Sequence, residues 1–238
     1  MIKFFRKIRY DLMEKNKTGK YLKYAIGEVI LVVIGILIAL QINNANELLK
    51  SKNIKQNYYI QIAADLDKEI ENINARVIYL DTCITTLDRY WETVARSNLA
   101  PKKIIKELSK VKNSFRWLAF NTNTIQTLES TGDIKLMPTQ IRNALIDLKQ
   151  TQEQIFRVAK GNYEIYLNSA IKGQQLGFHR IVDKKTSLGV ENNIPEIILT
   201  IEGGLILKDL IDKHVKEILL EMLTTINKIK ELIALDLQ

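Results

Sequence analysis

From Val29 to Leu40 the chain carries twelve consecutive residues without a polar side chain, and Tyr24, Ala25, Ile26 and Ile42 extend the apolar character on both sides. A helix over residues 24–42 rises about 1.5 Å per residue and spans roughly 28 Å, the thickness of a bilayer's hydrocarbon core. Two soluble alternatives exist for such a stretch: a buried core helix, or the apolar region of a cleaved signal peptide. A core helix this uniform is unusual beside a strongly basic flank. The 23 residues in front are long for a signal peptide, and only Asn43–Ala45 offers a weak cleavage site. The expectation is an uncleaved, single-pass transmembrane helix over residues 24–43.

The 238-residue chain has a net charge of +8, which raises the question of a nucleic-acid partner. The charge is concentrated at one end. Residues 1–24 hold eight cations against Asp11 and Glu14, and with Glu28 subtracted only +3 is left for everything after residue 42. That distribution argues against nucleic acid and for a lipid bilayer as partner. Cations resist translocation, so the 1–23 segment is expected in the cytoplasm and the remainder outside. In a two-membrane bacterium this means an inner-membrane protein with a periplasmic domain. Ile2, Phe4, Phe5, Ile8 and Leu12 alternate with Lys3, Arg6, Lys7 and Arg9, a pattern suited to a short helix lying on an anionic leaflet; the same cations also serve simply as a stop to translocation.

Within the anchor, Glu28 is an ionisable group in a membrane helix, which points to a partner contact or a proton-linked role. Its place one turn from Lys23, at the cytoplasmic edge, also lets it snorkel to water. Gly35 and Ala39 form a small-xxx-small pair, with Gly27 two turns back on about the same face, a surface on which a second helix can pack.

Ten Gly and three Pro in the whole chain predict an all-α fold. Residues 44–98 contain neither, and their apolar residues recur as a seam: Tyr59, Ile62, Leu66, Ile70, Ile73, Val77, Leu80, Ile84, Leu87, Trp91 and Val94. The steps of three and four describe a heptad with a stutter near Leu66. Asp67, Lys68, Glu69, Glu71 and Arg76 fall on the remaining faces, as a partly solvated helix requires. Pro101 opens a short helix. Another ends at Gly132, and Pro138 starts a long one through Ile141, Leu145, Leu148, Ile155 and Val158 that Gly173 and Gly177 terminate. Residues 183–197 read as an exposed connection. A last helix from about Gly204 carries Leu207, Ile211, Val215, Ile218, Met222, Ile226, Ile229 and Ile233. Over residues 99–238 these stripes call for a helical bundle, and the seam can pair either between chains or within one.

Chemistry is sparse. His179 and His214 belong to no ligand cluster, so no metal is expected and His214 reads as a structural histidine beside the apolar stripe. Cys83 is the single cysteine and packs like a small hydrophobe. There is no phosphate-cradling loop, nucleophile elbow or metalloprotease helix, so neither a cofactor nor enzymatic activity is expected. Tyr58, Tyr59, Tyr90, Trp91, Phe115, Trp117 and Phe120 suit core packing better than a ligand pocket.

The opening MIKFFRKIRYDLMEKNKTGKYLKYAIGEVILVVIGILIALQINNANE and the central FNTNTIQTLESTGDIKLMPTQIRNAL resemble an uncharacterised bacterial membrane family, the domain-of-unknown-function family numbered 6090. Where that family often has Trp after the paired Asn, this chain has Ala45. The resemblance implies location and architecture, with no activity to carry over. The functional expectation is a membrane-anchored structural or interaction protein of the cell envelope, forming a homo-oligomer or docking onto an envelope protein. The alternatives are an extracytoplasmic ligand-binding or sensory module, and an accessory subunit of an ion-driven complex using Glu28.

Overall fold

The computed structural model describes Arg6, Tyr10 and residues 18–113, 119–183 and 189–237. Ile2, Lys3, Phe4, Phe5, Lys7, Ile8, Arg9 and Leu12, the aromatic pair Phe115 and Trp117, and positions 184–188 of the expected connection lie outside them. The described residues are all-α, with no strand among them. The long helices are α1 (Thr18–Arg96), α4 (Thr139–Gln175) and α6 (Ile194–Asp236); the short ones are α2 (Pro101–Leu108), α3 (Asn123–Thr131) and α5 (Phe178–Val182). Two 3-10 turns, Asp133–Leu136 and Val190–Asn193, complete the described elements.

Helix α1 runs for 79 residues because nothing in it stops a helix: it holds no Pro, and its only glycines are Gly19, Gly27 and Gly35. It contributes to two compact units, residues 1–57 and 58–238. In the first unit the large apolar side chains from Val29 to Ile42 are all exposed, and none of the 18-residue apolar window is buried. A core helix would bury that surface, so the core-helix alternative fails. Among the described residues this is one helix long and apolar enough to cross a membrane.

In the second unit α1, α4 and α6 form a bundle whose strand-like order is set by side-chain pairs. Gln152 meets Glu69 and Tyr163 meets Arg76, so α4 runs parallel to α1. Glu202 meets Tyr90, Lys216 meets Asp81 and Asp236 meets Tyr59, so α6 is antiparallel to both. Two parallel neighbours need a long return, and residues 97–138 supply it. That segment passes α2 at one end and brings Asp133 to the Tyr58 hydroxyl at the other, 3.0 Å away.

The buried positions of α1 are Tyr59, Ile62, Leu66, Glu69, Ile73, Arg76, Leu80, Cys83, Leu87 and Tyr90. Their steps alternate three and four throughout, a heptad without a stutter. Leu66, Ile73, Leu80 and Leu87 of the expected seam are buried, whereas Ile70, Val77, Ile84, Trp91 and Val94 are half-buried beside it. Glu69 and Arg76, expected on solvated faces, occupy core positions. The same substitution occurs in α6, where Leu207 is exposed and Lys208 and Asp212 point inward. The buried apolar residues of α1 are covered by other helices of the same chain.

Helix α6 starts at Ile194, ten residues before the expected position, because Ile194, Ile197, Ile198 and Ile201 already have a core to enter. Gly173 and Gly204 are therefore interior helix residues. A Cβ on Gly204 would lie 2.6 Å from the Ser169 Cβ, and one on Gly173 would lie 2.6 Å from Ile201, so α4 and α6 meet at a glycine contact. Gly132 (φ 76) and Gly177 (φ 112) end α3 and α4 in the left-handed conformation.

Candidate functional site

The bundle core consists of two apolar clusters, one around Leu80, Leu145 and Val215, the other around Leu87, Tyr166 and Leu205. On α6, between the residues of the two clusters, lies a charged layer that reaches α1 and α4. The Arg76 Nη2 of α1 donates to the Tyr163 hydroxyl of α4 over 2.7 Å, and that hydroxyl donates to Asp212 Oδ1 of α6 over 2.9 Å. Lys208, one turn before Asp212, pairs with its other carboxylate oxygen. The Lys208 ammonium also lies 5.7 Å and 5.8 Å from the ring centroids of Tyr163 and Tyr166, within cation–π range. Lys208 and Asp212 are each 2% exposed, so the pair is removed from water.

Each long helix contributes to this layer, and a slip of one heptad on any of them would strand a charge in apolar surroundings. The layer is not fully satisfied: Arg76 Nε and Nη1 find no acceptor among the described residues, nor does Asp209 Oδ1 find a donor. Asp209 and Asp212 border a cavity of about 10 Å³ with Lys208 and Cys83, at the lower limit of room for one water. Burial first, and then the Asp212 carboxylate, push the Tyr163 hydroxyl above the usual phenol range, with Arg76 acting in the opposite sense. Burial does the same to Tyr166, whose hydroxyl donates to the Asn113 carbonyl over 3.2 Å. These phenols are held protonated and enclosed, which suits them to hold geometry and makes them poor proton donors.

A second polar constellation ties the return segment to the bundle. Asp65 accepts from the Asn121 side chain (2.7 Å) and from the Thr124 hydroxyl. Glu69, 1% exposed, accepts the Asn121 backbone N–H (3.1 Å) and the Gln152 amide (3.4 Å). Burial raises the Glu69 carboxyl above its ordinary range, the Asn121 and Gln152 contacts lower it, and Asp65 raises it further. The Gln152 Oε1 has no partner among the described residues.

Two larger cavities open on the bundle. One of about 510 Å³ lies among Phe120, Gln152, Phe156 and Arg157. The other, about 360 Å³, lies where α2, α4, α5 and α6 meet.

The residues singled out in the sequence are dispersed. Glu28 is half-buried and shares a surface groove with Lys23, Tyr24, Gly27 and Leu31. Gly27 and Gly35 have no atom within 4 Å of an added Cβ, and Ala39 is exposed. His214 is exposed rather than packed in the core, with Glu217 4.0 Å away, because the inward positions of its helix belong to Asp212 and Val215. His179 is exposed on α5. No group of three His, Cys, Asp or Glu side chains that could hold a metal exists among the described residues. Of the described aromatics, Tyr59 and Tyr90 are buried, while Tyr58, Trp91 and Phe120 pack against the clusters.

Sequence reading missed Glu69, Arg76, Tyr163, Lys208 and Asp212. The available signal was the unbroken three-four alternation that runs through Glu69 and Arg76. It was masked by Ile70 and Val77, which stand one residue later and attract an apolar seam. None of the family models, curated proteins or solved structures compared with the chain matches it.

Proposed function

We propose that this chain is a non-catalytic, single-pass membrane protein of the bacterial cell envelope, anchored in the inner membrane with its N-terminus in the cytoplasm and residues 58–238 in the periplasm. Its role is to hold that bundle at the membrane for interaction with another envelope component. The observation that carries this reading is the exposed apolar surface from Val29 to Ile42, borne on a helix whose residues from Tyr58 onward join a core formed within this chain. The cation excess before the anchor supports the orientation. Because α4 and α6 cover the heptad seam within one chain, association falls to the anchor or to outer bundle faces. The enclosure of the charged layer supports a non-catalytic role, since no substrate reaches Lys208 or Asp212 without opening the core.

Protease protection tests the topology. Proteinase K added to spheroplasts of a two-membrane bacterium should degrade the bundle and spare a fragment containing residues 1–43; an intact chain would reverse the assigned orientation. Light scattering then compares the detergent-solubilised full chain with residues 46–238. The shorter chain should be monomeric, and a stable oligomer of it would return the seam to an intermolecular role.

A further inference from the structure

On α6 a run of residues facing away from the bundle is apolar where charge is expected. Leu199, Gly203, Ile206 and Leu210 follow at steps of four, three and four, on the side opposite the buried Ile201, Leu205, Lys208 and Asp212. Leu199 is 70%, Ile206 48% and Leu210 62% exposed, and Leu207, also exposed, stands beside them. From Lys213 onward the same side is polar, with Glu217, Glu221, Thr224 and Lys228, as a solvated helix surface should be. Single exposed leucines need no explanation, but a contiguous stripe does. Gly203 adds to it. A Cβ there would meet no described atom within 4 Å, so nothing in this chain calls for glycine at a helix position where it is destabilising relative to alanine. Its absence of a side chain lets the backbone of another helix approach closely.

The size of the stripe decides how strongly it can bind. Its exposed part is on the order of 400 Å², enough to mark an interaction surface and about half of what each partner of a stable dimer buries. Freely diffusing copies would not stay together on it. Copies held in one membrane are at high effective concentration, and they carry the stripe in the same direction and at the same height. Side by side about a two-fold axis, Leu199, Ile206 and Leu210 each meet their own counterparts and Gly203 faces Gly203, with the alternating spacing of a parallel coiled coil. Lys213 and Glu217 then meet like charge, which ends the contact after Leu210.

We propose that α6 docks on α6 of a second copy, in parallel and through residues 199–210, and that the pairing holds only when both copies are membrane-bound. The inference rests on the anchoring reading and names a second copy of this chain as a partner of the bundle. It leaves residues 46–238 monomeric in solution.

Single cysteines test it in the full chain, reconstituted in phosphatidylcholine vesicles and oxidised with copper phenanthroline. The native Cys83 is buried and should give no dimer by itself. Leu210→Cys and Ile206→Cys should form disulfide-linked dimers at least ten-fold faster than Ile78→Cys, at a similarly exposed position on α1. Gly203→Glu should slow the Leu210→Cys reaction ten-fold or more while the thermal midpoint holds; if that variant does not fold, Leu199→Glu provides the block. A carbonate wash of the vesicles reports separately on the anchor. Retention with cross-linking no faster than at Ile78, or unchanged by the blocking variant, would overturn the docking face alone. Release by carbonate would overturn the anchoring reading and the tethered pairing with it. Dimers that form only between mixed Leu199→Cys and Leu210→Cys chains would overturn the parallel arrangement.

Discussion

In the hydrogen-bonded network of the charged layer two cations, Arg76 and Lys208, converge on one carboxylate, Asp212, while Asp209 at its edge is paired with Lys213, and this imbalance makes the two halves of the buried pair unequal. Asp212→Asn leaves both cations without a countercharge. The asparagine carbonyl can turn to Lys208, but its amide then faces Tyr163, whose hydroxyl proton loses its acceptor. Removing one partner of a buried pair costs about 3–5 kcal/mol, and the lost acceptor places this variant at the upper end. Lys208→Met preserves the length and packing of the stem and leaves Asp212 bonded to Tyr163, with Arg76 behind it as the countercharge. Its cost is one unfilled carboxylate acceptor and two long cation–π contacts, together about 2–3 kcal/mol. The two variants should therefore differ by about 2 kcal/mol or more, with Asp212→Asn the worse. Urea unfolding of residues 46–238, which keep both core clusters, followed by circular dichroism at 222 nm, measures the difference directly. Equal costs, or a larger one for Lys208→Met, would refute the reasoning and place the countercharge to Arg76 elsewhere.

Glu69→Gln lets one amide accept from Asn121 while donating to the unpartnered Gln152 Oε1, so it should stabilise the bundle at pH 7 by about 1 kcal/mol. The folded carboxyl is raised above its ordinary value of 4.5, so its contribution to stability is fully present below that pH and is lost as pH rises. The advantage of the variant should accordingly vanish by pH 4, and destabilisation at pH 7 would count against the assignment. Gly204→Ala forces a Cβ to within 2.6 Å of Ser169 and should cost about 1–3 kcal/mol, whereas Gly203→Ala meets open space and should add about 0.5–1 kcal/mol; paired thermal melts decide. Tyr59, Tyr90, Tyr163 and Tyr166 are all held above the usual phenol value of 10.0, chiefly by burial. Their contribution is complete below that value and lost above it, so stability should fall steeply beyond pH 10, and Tyr163→Phe should make the fall shallower.

The all-α class, the apolar helix near the N-terminus, the helix start at Pro101 and the stop at Gly132 were legible because each depends on local properties: composition, a continuous run, and backbone preferences of single residues. An apolar run of that length excludes most alternatives without any knowledge of neighbours. The position of α6 was less legible, since Gly204 looks like a boundary until Ser169 is seen to require a residue without a side chain there. The parallel order of α1 and α4 could not be read either, because amphipathic stripes carry no direction and only the path of residues 97–138 chooses one. The charged layer was the least visible. In sequence, Glu69, Arg76, Lys208 and Asp212 are ordinary helix-surface residues, and nothing local separates a solvated charge from one that a partner will neutralise. Tertiary structure decided that question: it brought Arg76, Tyr163 and Asp212 from three helices to one depth, where the loss of water is offset only by contact with one another.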